Sequence, residues 1–298
     1  GTCTNSPTQS HAAGGSDCVT TQSAYPNTQD TLLADTAGKL TLNNSITFSA
    51  AGGVASAFGA TVRSDGAGSN ILFKGNVNLP QEGVSSSAGL MATDGGKITV
   101  QDATNINLIA GSMWRWIVNS RDADSHITLA NVTLTSASGV NGVGGLVAEF
   151  GGKITYGTAN INFQGVDNST GISQNSATGD VIGGDTTINL STSYSVGVEL
   201  FNLVRINGTL NVIGSDSIHA LSIHDGQIHV GANSKIQGND GTGVLILGSH
   251  ATPLVAGDGL QITFPVASGT AFDAQNSTAA STTLAGATVT AQTLWVAA

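Results

Sequence analysis

Short alternations of apolar and polar residues recur along this chain, and one arrangement of them returns about ten times at a spacing close to 27 residues. It is plainest in Gly95-Gly96-Lys97-Ile98-Thr99-Val100 followed by Ile106-Asn107-Leu108, and again in Gly151-Gly152-Lys153-Ile154-Thr155-Tyr156 followed by Ile161-Asn162-Phe163. The second run of each unit recurs as Ile46-Thr47-Phe48, Val132-Thr133-Leu134, Ile188-Asn189-Leu190 and Ile262-Thr263-Phe264, at steps of 22 to 31 residues. A third run precedes each pair, as at Gly89-Leu90-Met91 and Gly145-Leu146-Val147. Alternation of this kind gives each strand one inward and one outward face. A unit of three short strands cannot bury its apolar face alone, so a fixed internal period implies stacked coils around one continuous core. The expected fold is all-β, a right-handed parallel β-helix with three-strand coils and about ten rungs. At roughly 4.8 Å per stacked strand, ten coils make a rod on the order of 50 Å long.

Composition supports this reading and narrows it. Glycine supplies 40 of 298 residues and no stretch carries apolar residues at helical spacing over several turns, which nearly excludes helix. Aromatic residues are 5% of the chain, so a core of Ile, Val, Leu and Ala stacks is expected. Charged residues are only 9%, but acids outnumber bases 19 to 9. Nucleic acid is therefore not an expected partner, because phosphate binding needs clustered Lys and Arg. There is no apolar run of 18 or more residues.

Cys3 and Cys18 are the only cysteines and stand in a Thr/Ser/Gly-rich segment ahead of the first repeat. They read as a disulfide, against the alternatives of two free thiols or half a metal site. Metal is disfavoured because only His11 lies nearby and no second Cys pair exists. A disulfide implies an oxidising, extracytoplasmic setting. The expected organisation is an N-terminal disulfide-containing cap over 1–31, covering the open edge of the first coil, and a β-helix over 32–298.

The Gly/Asn/Thr-rich coils, the low charge and the short cysteine-linked N-terminal segment together resemble the passenger domain of bacterial autotransporters, nearest to AIDA-type and self-associating adhesins. The resemblance covers roughly Leu32 to Ala298. It implies export through the outer membrane, display on the bacterial cell surface or secretion, and adhesion, aggregation or biofilm formation. The implied partners are another copy of the protein on a neighbouring cell, or a host matrix protein or glycan. The implied anchor is a C-terminal outer-membrane barrel outside this sequence.

Candidate chemistry divides into an acidic edge and an aromatic patch. Aligning the coils on the third run places an acid near the following corner in most of them: Asp65, Asp94, Asp122 or Asp124, Glu149, Glu199 and Asp225, with Asp273 further along and Asn175 interrupting. Stacked, these would form a charged column suited to basic partners, although Asp-Gly turns recur for conformational reasons alone. The patch is Trp114, Arg115 and Trp116 followed by Arg121, Asp122 and Asp124, which supports an alternative reading as a carbohydrate-active enzyme or glycan-binding module. Neither a nucleophile elbow nor a calcium-binding nonapeptide array is present. His219, His224 and His229 are spaced too widely along a strand-turn-strand for a metal site and read as surface histidines. No catalytic residue, metal or cofactor is expected.

Overall fold

The computed structural model describes residues 1–52, 59–82, 88–108, 115–136, 142–163, 168–191, 194–277, 283–284 and 286–297. The described residues contain strands and no helix, and they form a parallel β-solenoid. A thirteen-stranded sheet takes one strand from each coil and one further edge strand at the N-terminus, and a nineteen-stranded sheet takes the other two. In the middle coils those two strands run on as one, at Lys97–Leu108, His126–Ser136 and Lys153–Phe163.

The registers show why a period near 27 residues produces this shape. Leu32, Val62, Leu90, Val118, Leu146, Ile172, Val198, Leu221 and Val244 are successive partners in the thirteen-stranded sheet, and all are buried. Facing them across the core, Leu40, Ile71, Ile98, Ile127, Ile154, Val181 and Val204 form a matching column. Each fully buried side chain of this kind contributes about 1.5–3 kcal/mol. A one-residue slip would turn the whole apolar set outward, so the register is strongly specified.

Over the six coils whose corners follow Asp35, Asp65, Thr93, Arg121, Glu149 and Asn175, two corner geometries alternate between the thirteen-stranded sheet and the strand that follows it. At Asp35–Gly38, Thr93–Gly96 and Glu149–Gly152 the fourth N–H donates to the first carbonyl at 2.9, 2.9 and 3.0 Å. Both central residues are left-handed there (Thr36 and Ala37, Asp94 and Gly95, Phe150 and Gly151), the geometry of a type I′ turn. The intervening coils have corners one residue longer, closed by Ser69 N–H to Gly66 O at 3.1 Å and Ser125 N–H to Asp122 O at 3.2 Å. There the serine hydroxyls brace the coil before: Ser69 Oγ accepts from Ala37 N and Ser125 Oγ from Gly95 N, both at 3.0 Å.

The first 31 residues also stack. Gln9–Ala13, Asp17–Thr20 and Ala24–Asn27 pair in parallel with Leu32–Asp35, Lys39–Leu42 and Ile46–Gly52. Thr2–Ser6 lies antiparallel on Gln9–Ala13 and occupies the edge of the thirteen-stranded sheet. The Cys3–Cys18 disulfide, with Cα atoms 5.6 Å apart, ties this edge strand to the second strand of its coil. Arg63 grips the segment from the next coil, donating to both carboxylate oxygens of Asp30 at 2.8 and 3.0 Å.

Candidate functional site

The acids expected to form one edge fall into several columns. Asp65 and Glu149 occupy the last strand position of the thirteen-stranded sheet, where their neighbours along the rod are Asp35, Thr93, Arg121 and Asn175. Asp94 and Asp122 sit one residue later, in the corner, and Asp124 follows inside the longer corner. Glu199 lies within its strand between Ser173 and Ser222. Asp225 is again a corner residue, and Asp273 pairs with Leu245 inside the sheet. A single acidic column is therefore not formed, because the acids stand at different distances along the strand from the buried column, three residues after Val62 and Leu146, four after Leu90, Val118 and Leu221, and one after Val198.

Several of these carboxylates bind neighbouring coils. Asp65 accepts from the Thr93 hydroxyl at 2.7 Å, Asp122 from the Asp94 N–H at 3.1 Å, and Asp225 from the Ser249 N–H at 2.6 Å. Glu149 is 2% exposed and takes the Arg121 Nε at 3.1 Å and the Asn119 amide at 3.4 Å. Burial raises its pKa, with Arg121 and Asn119 pulling the other way. Arg121 also lies over the Phe150 ring, 5.1 Å from its centroid. These are bracing contacts between coils, and they leave the acidic set without a common surface.

One pair remains repulsive. The charge of Asp122 raises the pKa of Asp94, so ionising Asp94 costs more in the folded than in the unfolded chain. The penalty is absent well below pH 3.8, grows as pH rises toward the folded pKa, and stays constant above it. Asp94→Asn, which tolerates the left-handed backbone, is expected to raise the melting temperature at pH 7 and leave it unchanged at pH 2.5. Melting curves at the two pH values check this; equal effects at both would assign the change to the turn instead.

Trp114 lies outside the described residues. Trp116 is half-buried beside Gly144, whose missing side chain leaves room for the indole: a Cβ there would stand 2.9 Å from the ring. A small open pocket lies against it, lined by Val143, Val147, Asn168, Thr170 and Ser173. Arg121 belongs to a different column from Trp116 and turns toward Glu149, so the expected Trp–Arg–Asp patch is not assembled around this pocket. The three histidines are likewise separate. His219 has its pKa lowered by burial, His224 stacks on Phe201 at 4.4 Å, and His229 bonds Gln227 at 2.7 Å. No group of three metal-ligating side chains occurs among the described residues.

The most regular polar surface is on the nineteen-stranded sheet. Thr47, Asn78, Asn105, Thr133, Asn160, Thr187 and Asn211 are successive outward partners, and two residues further on so are Asn107, Thr135, Asn162 and Asn189. The columns are knitted lengthwise: Asn105 donates to Asn78 Oδ1 at 3.0 Å, and Thr135 to Asn107 Oδ1 at 2.8 Å. A shallow groove runs between them, with Leu79, Pro80 and Ile106 completing its lining. The sequence contains this surface in its x-Asn-x and x-Thr-x runs, and only the parallel register shows that it is a double ladder. No family model, curated protein or solved structure matches the chain.

Proposed function

We propose that this protein is a surface-displayed bacterial adhesin that associates with another copy of itself through the outer face of the nineteen-stranded sheet. The observation that carries the reading is the double Asn/Thr ladder. Amides and hydroxyls repeated at strand spacing offer donors and acceptors to an equivalent face, each contact weak and the row additive through valency. The Cys3–Cys18 disulfide supports an extracytoplasmic setting. The proposal is a binding role and assigns no reaction.

Analytical ultracentrifugation of the purified protein is expected to show a concentration-dependent dimer. Asn105→Glu combined with Asn160→Glu puts unpaired charges on two exposed positions of the ladder and is expected to raise the dimer dissociation constant on the order of tenfold or more. Bacteria displaying the wild-type chain should clump, and those displaying the variant should not. A strictly monomeric wild-type chain, together with cells that stay dispersed, would remove self-association.

A further inference from the structure

Three of the five lysines fall in one column of the nineteen-stranded sheet. Successive partners there are Asp17, Lys39, Asn70, Lys97, His126, Lys153 and Asp180. Lysine thus occurs on every second coil, Asn and His stand between, and an aspartate closes each end. At about 4.8 Å per coil, neighbouring lysines are roughly 10 Å apart and the outer two about 19 Å apart.

The lysine side chains are exposed. Lys153 lies 4.0 Å from Asp180, while Lys39 and Lys97 have no carboxylate partner among the described residues. In a chain with 19 acids and 9 bases, the arginines Arg63 and Arg121 are both engaged in ion pairs, so Lys39 and Lys97 are unneutralised by contrast. His126 between them is half-buried and bonds the Thr155 hydroxyl at 2.8 Å. The next outward column is Thr41, Leu72, Thr99, Thr128 and Thr155, four hydroxyls interrupted by Leu72, beside the cations and with no aromatic ring among them.

We infer that this column binds a linear polysaccharide carrying one uronic acid per disaccharide, laid along the axis of the solenoid. Two coils span about the length of two linked sugar rings, so successive uronates meet Lys39, Lys97 and Lys153 in turn. The threonine row meets the sugar hydroxyls. Exposed charges roughly 10 Å apart are separated by more than the screening length of about 8 Å at physiological salt, so the three lysines act as nearly independent contacts and avidity comes from their number. Nucleic acid is the poorer fit, because a single strand carries charge at closer intervals and seeks stacking surfaces that this column lacks. The inference is independent of the Asn/Thr ladder and of self-association.

The test is calorimetric titration of the whole chain with hyaluronan oligosaccharides of two to ten sugars at low salt. Affinity is expected to rise up to the hexasaccharide, which presents three uronates, and then level off. Lys39→Gln, Lys97→Gln and Lys153→Gln should each weaken hexasaccharide binding roughly fivefold. The triple variant should lose binding while keeping its melting temperature and its dimerisation, and Lys74→Gln should change nothing. Asp180→Asn, which frees Lys153, should tighten binding, so the inference does not rest on loss of function alone. It is overturned by absence of binding, by an affinity that ignores the lysine substitutions or added salt, or by preference for single-stranded DNA over the oligosaccharide.

Discussion

Gly96→Ala and Gly152→Ala are each expected to destabilise the fold by about 3 kcal/mol or more, because backbone itself must move. A Cβ on Gly96 would stand 2.1 Å from the Ser64 carbonyl oxygen of the preceding coil, and one on Gly152 the same distance from Ser120 O. Neither obstacle is a side chain that can rotate away. Displacing the carbonyl would also strain the ladder between coils, because the strand that holds it is paired on both sides. The same corners supply a substitution of opposite sign. Ala37 holds φ 63° in a type I′ turn, so Ala37→Gly removes left-handed strain of about 1–2 kcal/mol, offset in part by greater unfolded-state freedom. Urea unfolding midpoints read both signs; if Gly96→Ala unfolds like wild type, the close approach of the coils at this corner is wrong.

A second large effect is expected where a ring fills the space left by a glycine. Tyr156 is buried, donates to or accepts from the Thr186 hydroxyl at 2.6 Å, and lies directly against its strand partner Gly183. A Cβ on Gly183 would fall 2.0 Å from the ring. Tyr156→Ala empties this volume and is expected to cost about 3–5 kcal/mol. Gly183→Ala alone should cost about 1–3 kcal/mol through overpacking. Together the two changes should cost less than their sum, because the smaller side chain at 156 vacates the space that the new methyl needs. A double-mutant cycle measures that coupling, and additive losses would show that the pair does not share one volume.

The fold was largely legible in the alternating runs because inward positions in a stacked coil must all be apolar, and Ile98, Ile127 and Ile154 repeat that constraint in the sequence. The disulfide was legible too, since only two cysteines exist. The acidic edge does not form because the acids stand at different offsets from the buried column, four residues after Leu90 for Asp94 but three after Leu146 for Glu149, and one step along a strand changes the column. Asp94 and Glu149 each sit close behind a third run, yet they belong to different columns, and Glu149 is enclosed with Arg121. The lysine column is present in Gly95-Gly96-Lys97 and Gly151-Gly152-Lys153, which lie two coils apart. Adjacent coils do not repeat it, because Asn70 and His126 stand in place of lysine.

Between Asp35 and Asn175 the alternation of short and long corners makes two coils, rather than one, the unit in which this stretch of the rod can change length. Excising a pair, from one short corner to the next, would rejoin like to like and leave a lysine on every second level. Excising a single coil would bring two short corners together, remove a bracing serine such as Ser69 from beneath Ala37, and set two lysines on adjacent levels. Shortened or extended versions built in paired steps should therefore melt as cooperatively as the parent, which makes the coil pair the natural module for anyone wishing to use this scaffold as a ruler.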